Sequence, residues 1–150
     1  MTDLRQLFDD LVRFETILWN GVDARLQQEC GVSLSSVNAM LVIDSTPSCR
    51  VRDIARAVAI TVGGASQAID RLEAAGQCLR HPNPADRRSS ILKLTPAGQE
   101  LLERAGAVFD QELETFLHAP LSERSFGQLA AALATVRGAA TLANASDEKH

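Results

Sequence analysis

A chain of 150 residues with 45% apolar content and a net charge of −4 has room for one well-cored domain with a helical extension. No run approaches ~18 uninterrupted apolar residues, which excludes a transmembrane helix. The start, MTDLRQLFDDLVRFE, places acids where a signal peptide needs a basic and then an apolar segment, so the expected location is the cytoplasm.

Three cysteines, Cys30, Cys49 and Cys78, stand far apart with no CxxC pair, which reads as reduced thiols and not a disulfide framework. The overall negative charge hides an asymmetry. Between Arg50 and Lys93 there are eight bases against four acids, a net +4, while the remainder carries seven bases and fifteen acids, a net −8. A basic segment flanked by acidic ones attracts a polyanion at one place and repels it elsewhere.

In chain order, residues 3 to about 29 predict one long helix, because Leu4, Leu7, Phe8, Leu11, Phe14, Leu18, Val22 and Leu26 recur at three- and four-residue steps. Ile17 and Trp19 widen that stripe beyond the needs of one small core, which suggests a second copy of the chain as partner. Gly31 supplies the left-handed stop. Ser33 or Ser35 caps a second helix that carries Leu34, Val37, Met40, Leu41 and Ile43 and ends at Thr46-Pro47. Cys49 to Val51 is expected to be a short strand. A brief helix follows, with Val51, Ile54, Ala55 and Val58 inward, and Ala59-Ile60 links tightly into Thr61. Two short helices so close together predict a helix-turn-helix pair.

Thr61 caps the next helix, which turns Ala65, Ala68, Ile69, Leu72 and Ala75 inward and stops at Gly76. Its outward face holds Gly63, Gln67, Asp70 and Ala74, flanked by Gly64, Ser66 and Arg71. Two consecutive glycines there allow close approach of backbone to another surface. Gln77 to His81 predicts a strand with Cys78 inward. Two prolines make residues 82–88 a hairpin tip, and Ser90 to Leu94 returns as the second strand. Thr95-Pro96 opens a helix expected to reach Leu117 and to break at Ala119-Pro120. Ser122 caps a last helix to about residue 143, and the tail 144–150 is expected to be mobile.

Three segments carry a family resemblance: Ala68 to Gly76 (AIDRLEAAG), Asp86-Arg87-Arg88, and Leu94 to Gly98 (LTPAG). In that order and spacing, the chain resembles MarR-type transcriptional regulators from its first helix to about residue 142. The resemblance implies a mainly α fold with a small β-wing: a winged helix-turn-helix over about 33–95, joined to dimerisation helices at about 3–29, 96–118 and 122–143. It implies a cytoplasmic homodimer that binds double-stranded DNA at an inverted repeat, with one helix in the major groove and the wing tip in the minor groove. Repression is the family default.

Within that frame Ser66, Gln67 and Asp70 are the base-reading candidates, since Gln can bond adenine and Asp can accept from cytosine. Asp70 reads equally well as a salt bridge to Arg71 or Arg52. Thr61, Gly63 and Gly64 suit a phosphate through backbone N–H groups at a helix N-terminus, Arg50 and Arg87 are better placed for phosphates, and Arg71 is a further DNA-contact candidate. Arg88 matches the arginine of the family's D-x-R wing motif and is the expected minor-groove probe, with Asp86 pairing an arginine to hold the tip.

The resemblance also implies a small hydrophobic or aromatic anionic effector lodged between the helical lobe and the DNA-binding lobe, where Phe14, Trp19 and Met40, with Arg13 beside them, are the candidates. A thiol-redox input, or a winged module that binds protein instead of DNA, are the alternatives. Cys30 sits at a helix C-terminus, where the dipole disfavours a thiolate. Cys78-x-x-His81 on a strand sends its side chains to opposite faces, so no metal is expected. No GxSxG, P-loop, HExxH or dinucleotide loop occurs, so neither an enzyme nor a cofactor is expected.

Overall fold

In a computed structural model, residues 1–58 and 60–147 are described. The order is α1 (Leu4–Cys30), α2 (Leu34–Ser45), α3 (Val51–Val58), α4 (Val62–Ala74), β1 (Cys78–Pro82), β2 (Ser90–Leu94), α5 (Pro96–Leu113), a π-helical turn (Glu114–His118) and α6 (Glu123–Asp147). It is a mostly helical fold with a two-stranded antiparallel wing. The chain forms two compact units, Met1–Glu112 and a second that begins at Leu113.

In the first unit the core is drawn from every helix and from the wing. Val22 and Leu26 of α1, Val37 and Met40 of α2, Ile54 of α3, Ile69 and Leu72 of α4, Leu92 of β2 and Leu101 and Ala105 of α5 are all buried. α2 is covered on more than one side, since Ser36 and Ala39 are buried along with its apolar stripe. Asp3 caps α1, and Gly31 closes it at φ 64°. Ser33 caps α2. Asp23 of α1 adds a second tie, its carboxylate accepting the Leu34 N–H at 2.8 Å. Arg25 of α1 holds Glu112 of α5 at 2.7 Å, and Gln99 of α5 donates to Asp44 of α2 at 3.0 Å.

Three expectations change. Val51 is the first residue of α3 and not the end of a strand. The Asp53 carboxylate accepts the Arg50 N–H at 2.8 Å, which is half of a capping box and starts the helix there. One ladder bond of the expected strand survives, from Leu92 N–H to the Cys49 carbonyl at 2.7 Å. Ala75 is exposed, because it is the C-cap of α4 and the chain turns away at Gly76 with φ 73°. Pro82 closes β1 opposite Ser90, and a strand end does not need its N–H. The expected tight link through Ala59 lies outside the described residues.

Thr95 is the joint between the wing and α5. Its hydroxyl donates to the Gly76 carbonyl at 2.6 Å and accepts the Gly98 N–H at 3.0 Å, while its own N–H donates to Gln77 at 3.1 Å. This brings the first turn of α5 against the α4–β1 link. A Cβ on Gly98 would lie 2.0 Å from the Gln77 carbonyl oxygen, so only glycine fits.

In the second unit, α6 runs to Asp147, so residues 144–147 are helical and not a mobile tail. No glycine or proline interrupts that stretch, and Ser146 Oγ donates to Leu142 O at 3.0 Å. Ser122 caps α6 as expected. The long helix from Pro96 widens into the π-turn over its last residues. There His118 is held at both ring nitrogens, Nδ1 2.7 Å from Glu114 and Nε2 2.6 Å from Glu123, with Phe126 against the ring.

Only an imidazolium can donate both of those bonds. The bonds to Glu123 and then Glu114 accordingly raise the His118 pKa above its ordinary 6.5. The sign follows: with both carboxylates ionised, the clip is at full strength below the unfolded value and is lost as pH rises through the higher folded one. A histidine NMR titration is expected to show His118 titrating above 6.5, with the Glu114→Gln, Glu123→Gln double variant returning it to the ordinary range. An unshifted wild-type titration would refute the clip.

Candidate nucleic-acid interface

Thr61 opens α4 with its hydroxyl accepting the Gly64 N–H at 3.0 Å. The cap leaves the N–H groups of Val62 and Gly63 without an intrahelical acceptor, which is the usual condition of a first helical turn. Gly64 is therefore corrected as a phosphate donor, because its N–H is used by the cap. It has an internal reason to be glycine, since a Cβ there would sit 3.2 Å from the Thr61 hydroxyl oxygen. Gly63 has none. A Cβ at that position meets nothing within 4 Å.

Beyond the first turn, α4 buries Ala65, Ala68, Ile69 and Leu72 and leaves Gln67, Asp70 and Arg71 exposed, with Ser66 half-buried at its edge. Of the three expected base readers, Gln67 and Ser66 keep an outward placement. Asp70 does not stand free. Its carboxylate pairs with Arg80 of β1 at 2.7 Å, and neither Arg71 nor Arg52 is its partner. Glu73, one turn on, meets the same guanidinium at 3.1 Å.

The wing tip is built from side-chain-to-backbone bonds. Asn83 accepts from the Ala85 N–H at 3.0 Å and donates to Ser89 Oγ at 3.0 Å. Asp86 accepts from the Arg88 N–H at 2.9 Å. Asp86 thus supports the tip as expected but through a backbone N–H, and no arginine side chain pairs with it among the described residues. Arg87 and Arg88 are exposed and form no ion pair among those residues.

Between the start of α3, the first turns of α4 and the base of the wing lies a groove of about 390 Å³. Arg50, Arg52, Arg80 and Arg88 line it, together with Ser66, Ser89 and Ser90. Guanidinium groups and hydroxyls converging beside free N–H groups can hold an anionic backbone. Of the expected cations, Arg50 and Arg88 meet here, while Arg71 and Arg87 do not line the groove. Arg50 is partly engaged by Asp53, 3.9 Å away. Sequence reasoning missed Arg52 and Arg80 as members. Strand alternation was the available signal for Arg80, because it shares a strand face with the inward Cys78.

The effector candidates are not brought together. Met40 is fully buried in the core, Phe14 and Trp19 are exposed on α1, and Arg13 is engaged by Asp9 at 2.7 Å. Trp19 borders a shallow depression with Glu15, Thr16 and Asn20. The three cysteines are free thiols. Burial, then Asp53, pushes Cys49 up to about 11, and burial raises Cys78, so both are held protonated and poorly reactive. His81 is exposed while Cys78 is buried, as opposite strand faces require.

The sequence model of the MarR family matches residues 32–90, which span α2, α3, α4 and β1 and reach β2. A relative from Clostridium symbiosum, the HTH-type transcriptional regulator BilQ, is 32% identical over 88 residues, 59% of this chain and 60% of that protein. Over these residues the chain is similar to the MarR family.

Solved structures agree on the fold. It is similar to Sco3205 of Streptomyces coelicolor, a MarR family regulator in complex with DNA, at a TM-score of 0.82 and 22% identity, covering 89% of this chain and 84% of that one. It is similar to AbsC of the same organism at 0.83 and 19%, over 94% and 97% of the chains. The repressor CouR, bound to a 23-mer DNA duplex, matches at 0.79 and 25%, over 91% and 99%. The match to BilQ spans about 60% of that curated relative's length. Among the described residues no helix is long and apolar enough to cross a membrane.

Proposed function

We propose that this chain is a sequence-specific DNA-binding transcriptional regulator that acts as a homodimer on an inverted-repeat site. The observation that carries the reading is the arginine-lined groove between a capped, small-residue helix start and a wing tip with two unpaired guanidiniums. In this reading Ser66 and Gln67 read bases. Thr61 and Gly63 place the helix N-terminus on a phosphate, and Arg50, Arg52, Arg71 and Arg87 hold the backbone. Arg88 enters the minor groove. Asp70 and Asp86 support the α4 face and the wing tip.

The homodimer has support in exposed apolar side chains within each unit. Leu4, Phe8, Leu11 and Ile17 of α1 are uncovered in the first, and Leu133, Val136 and Leu142 of α6 in the second. Repression relieved by a small hydrophobic or aromatic anion completes the proposal. Phe14 and Trp19 are the side chains left to meet it, and Met40 is withdrawn because it is sealed in the core. The buried, protonated Cys49 and Cys78 weigh against a thiol switch.

The test is a gel shift with the DNA upstream of the chain's own coding sequence. The expected result is a shifted band that survives excess unrelated competitor, at a mobility set by two chains. No shift at low salt would leave a protein-binding winged module as the better reading.

A further inference from the structure

Asp70 and Glu73 stand one turn apart on α4 and lie on one side of it. Two ionised carboxylates on a helix offered to a polyanion would repel it. On β1, Cys78 is buried, and Arg80, two residues on, shares its strand face. Arg80 pairs across the ladder with the buried Leu92, which fixes its backbone, and its side chain reaches back over α4. The fork then serves both acids separately: Nη2 lies 2.7 Å from Asp70 and Nη1 3.1 Å from Glu73. A guanidinium keeps its charge at any working pH and can bind two carboxylates at once, which a lysine ammonium does less well. The same residue lines the groove with Arg50, Arg52 and Arg88.

We propose that Arg80 is a positioning residue: it masks Asp70 and Glu73 from DNA phosphates and locks the recognition helix to the wing strand at one register. The proposal rests on the DNA-binding reading and assigns within it a role distinct from phosphate contact. Asp70 and Glu73 are then acids that the fold keeps occupied, and the helix and wing move as one body when they meet a duplex. Hydrogen bonding from Asp70, followed by the charge of Glu73, raises the Arg80 pKa, which is the direction a clamped guanidinium takes.

Fluorescence anisotropy with a labelled operator duplex over a salt series tests it. Arg80→Ala is expected to weaken binding about tenfold, as loss of one good charged contact would. The discriminating variant is Arg80→Ala with Asp70→Asn and Glu73→Gln, expected to recover to within about threefold of wild type because nothing remains to be masked. A phosphate-contacting arginine gives the opposite pattern, with no recovery and a salt slope reduced by about 1; that result overturns the proposal. The triple variant also carries no uncompensated carboxylate pair, so it reports even where the single variant unfolds. A wild-type chain that binds while Arg80→Ala binds equally well overturns this role alone. A wild-type chain that binds no duplex at about 50 mM salt overturns the DNA reading together with it.

Discussion

Replacement of Arg88 by alanine is expected to lower duplex affinity tenfold or more while leaving the thermal midpoint where it was. The first half follows from the guanidinium: it is exposed, unpaired among the described residues, and aimed from the wing into the arginine-lined groove. A good charged contact of this kind is worth ~1–3 kcal/mol in binding. The second half follows from how the tip is made. Asp86 holds the backbone N–H of Arg88, and Asn83 closes the loop on Ala85 and Ser89. None of these bonds uses the Arg88 side chain, so alanine removes the charge and keeps the turn. Equal affinities for variant and wild type at physiological salt would take the wing out of the mechanism.

The second large effect concerns folding. Gly98 is in an ordinary helical turn of α5, where alanine would normally gain about 1 kcal/mol over glycine. The contact reverses that sign. A Cβ would fall 2.0 Å from the Gln77 carbonyl oxygen and 3.0 Å from its carbon. That carbonyl cannot simply swing aside, because it also accepts the Thr95 N–H. Overpacking against backbone costs about 3 kcal/mol or more when the neighbour cannot give. In a chain of this size that corresponds to a midpoint lowered by roughly 6–12 °C. Thermal unfolding of Gly98→Ala measures it, and a midpoint within about 2 °C of wild type would mean the joint is slack.

Local signals were legible in the sequence and distant ones were not. Ser33, Thr61, Ser122 and the Thr95-Pro96 pair each mark a helix start, because capping depends on a side chain and an N–H two or three residues away. The two wing strands read to within one residue, because side-chain alternation is also a local signal. Periodicity, however, reports one inward face and cannot say how many neighbours cover it. Met40 was thereby taken for a crevice residue, when α2 is enclosed on more than one side. Contacts between elements were equally invisible: Asp23 on the start of α2, Gln99 on Asp44, and Arg80 on two acids of α4 each join positions that no spacing rule connects. Of the candidate interface, the exposed residues of α4 and the wing tip could be found from sequence. Arg52 and Arg80 needed the tertiary arrangement that folds α3 and β1 around the same groove.

The glycines in the first turns of α4 and α5 divide into two kinds. Gly98 is required by a backbone carbonyl, and Gly64 is tight against a capping hydroxyl that a small shift would relieve. Gly63 is not required by any such neighbour, and a side chain there would stand in open space. Helix stability alone would favour replacing it, since glycine is the poorer helix former by up to about 1 kcal/mol. The fold therefore leaves room for a side chain at residue 63. If α4 docks on DNA as proposed, stability and recognition pull in opposite directions at this one position.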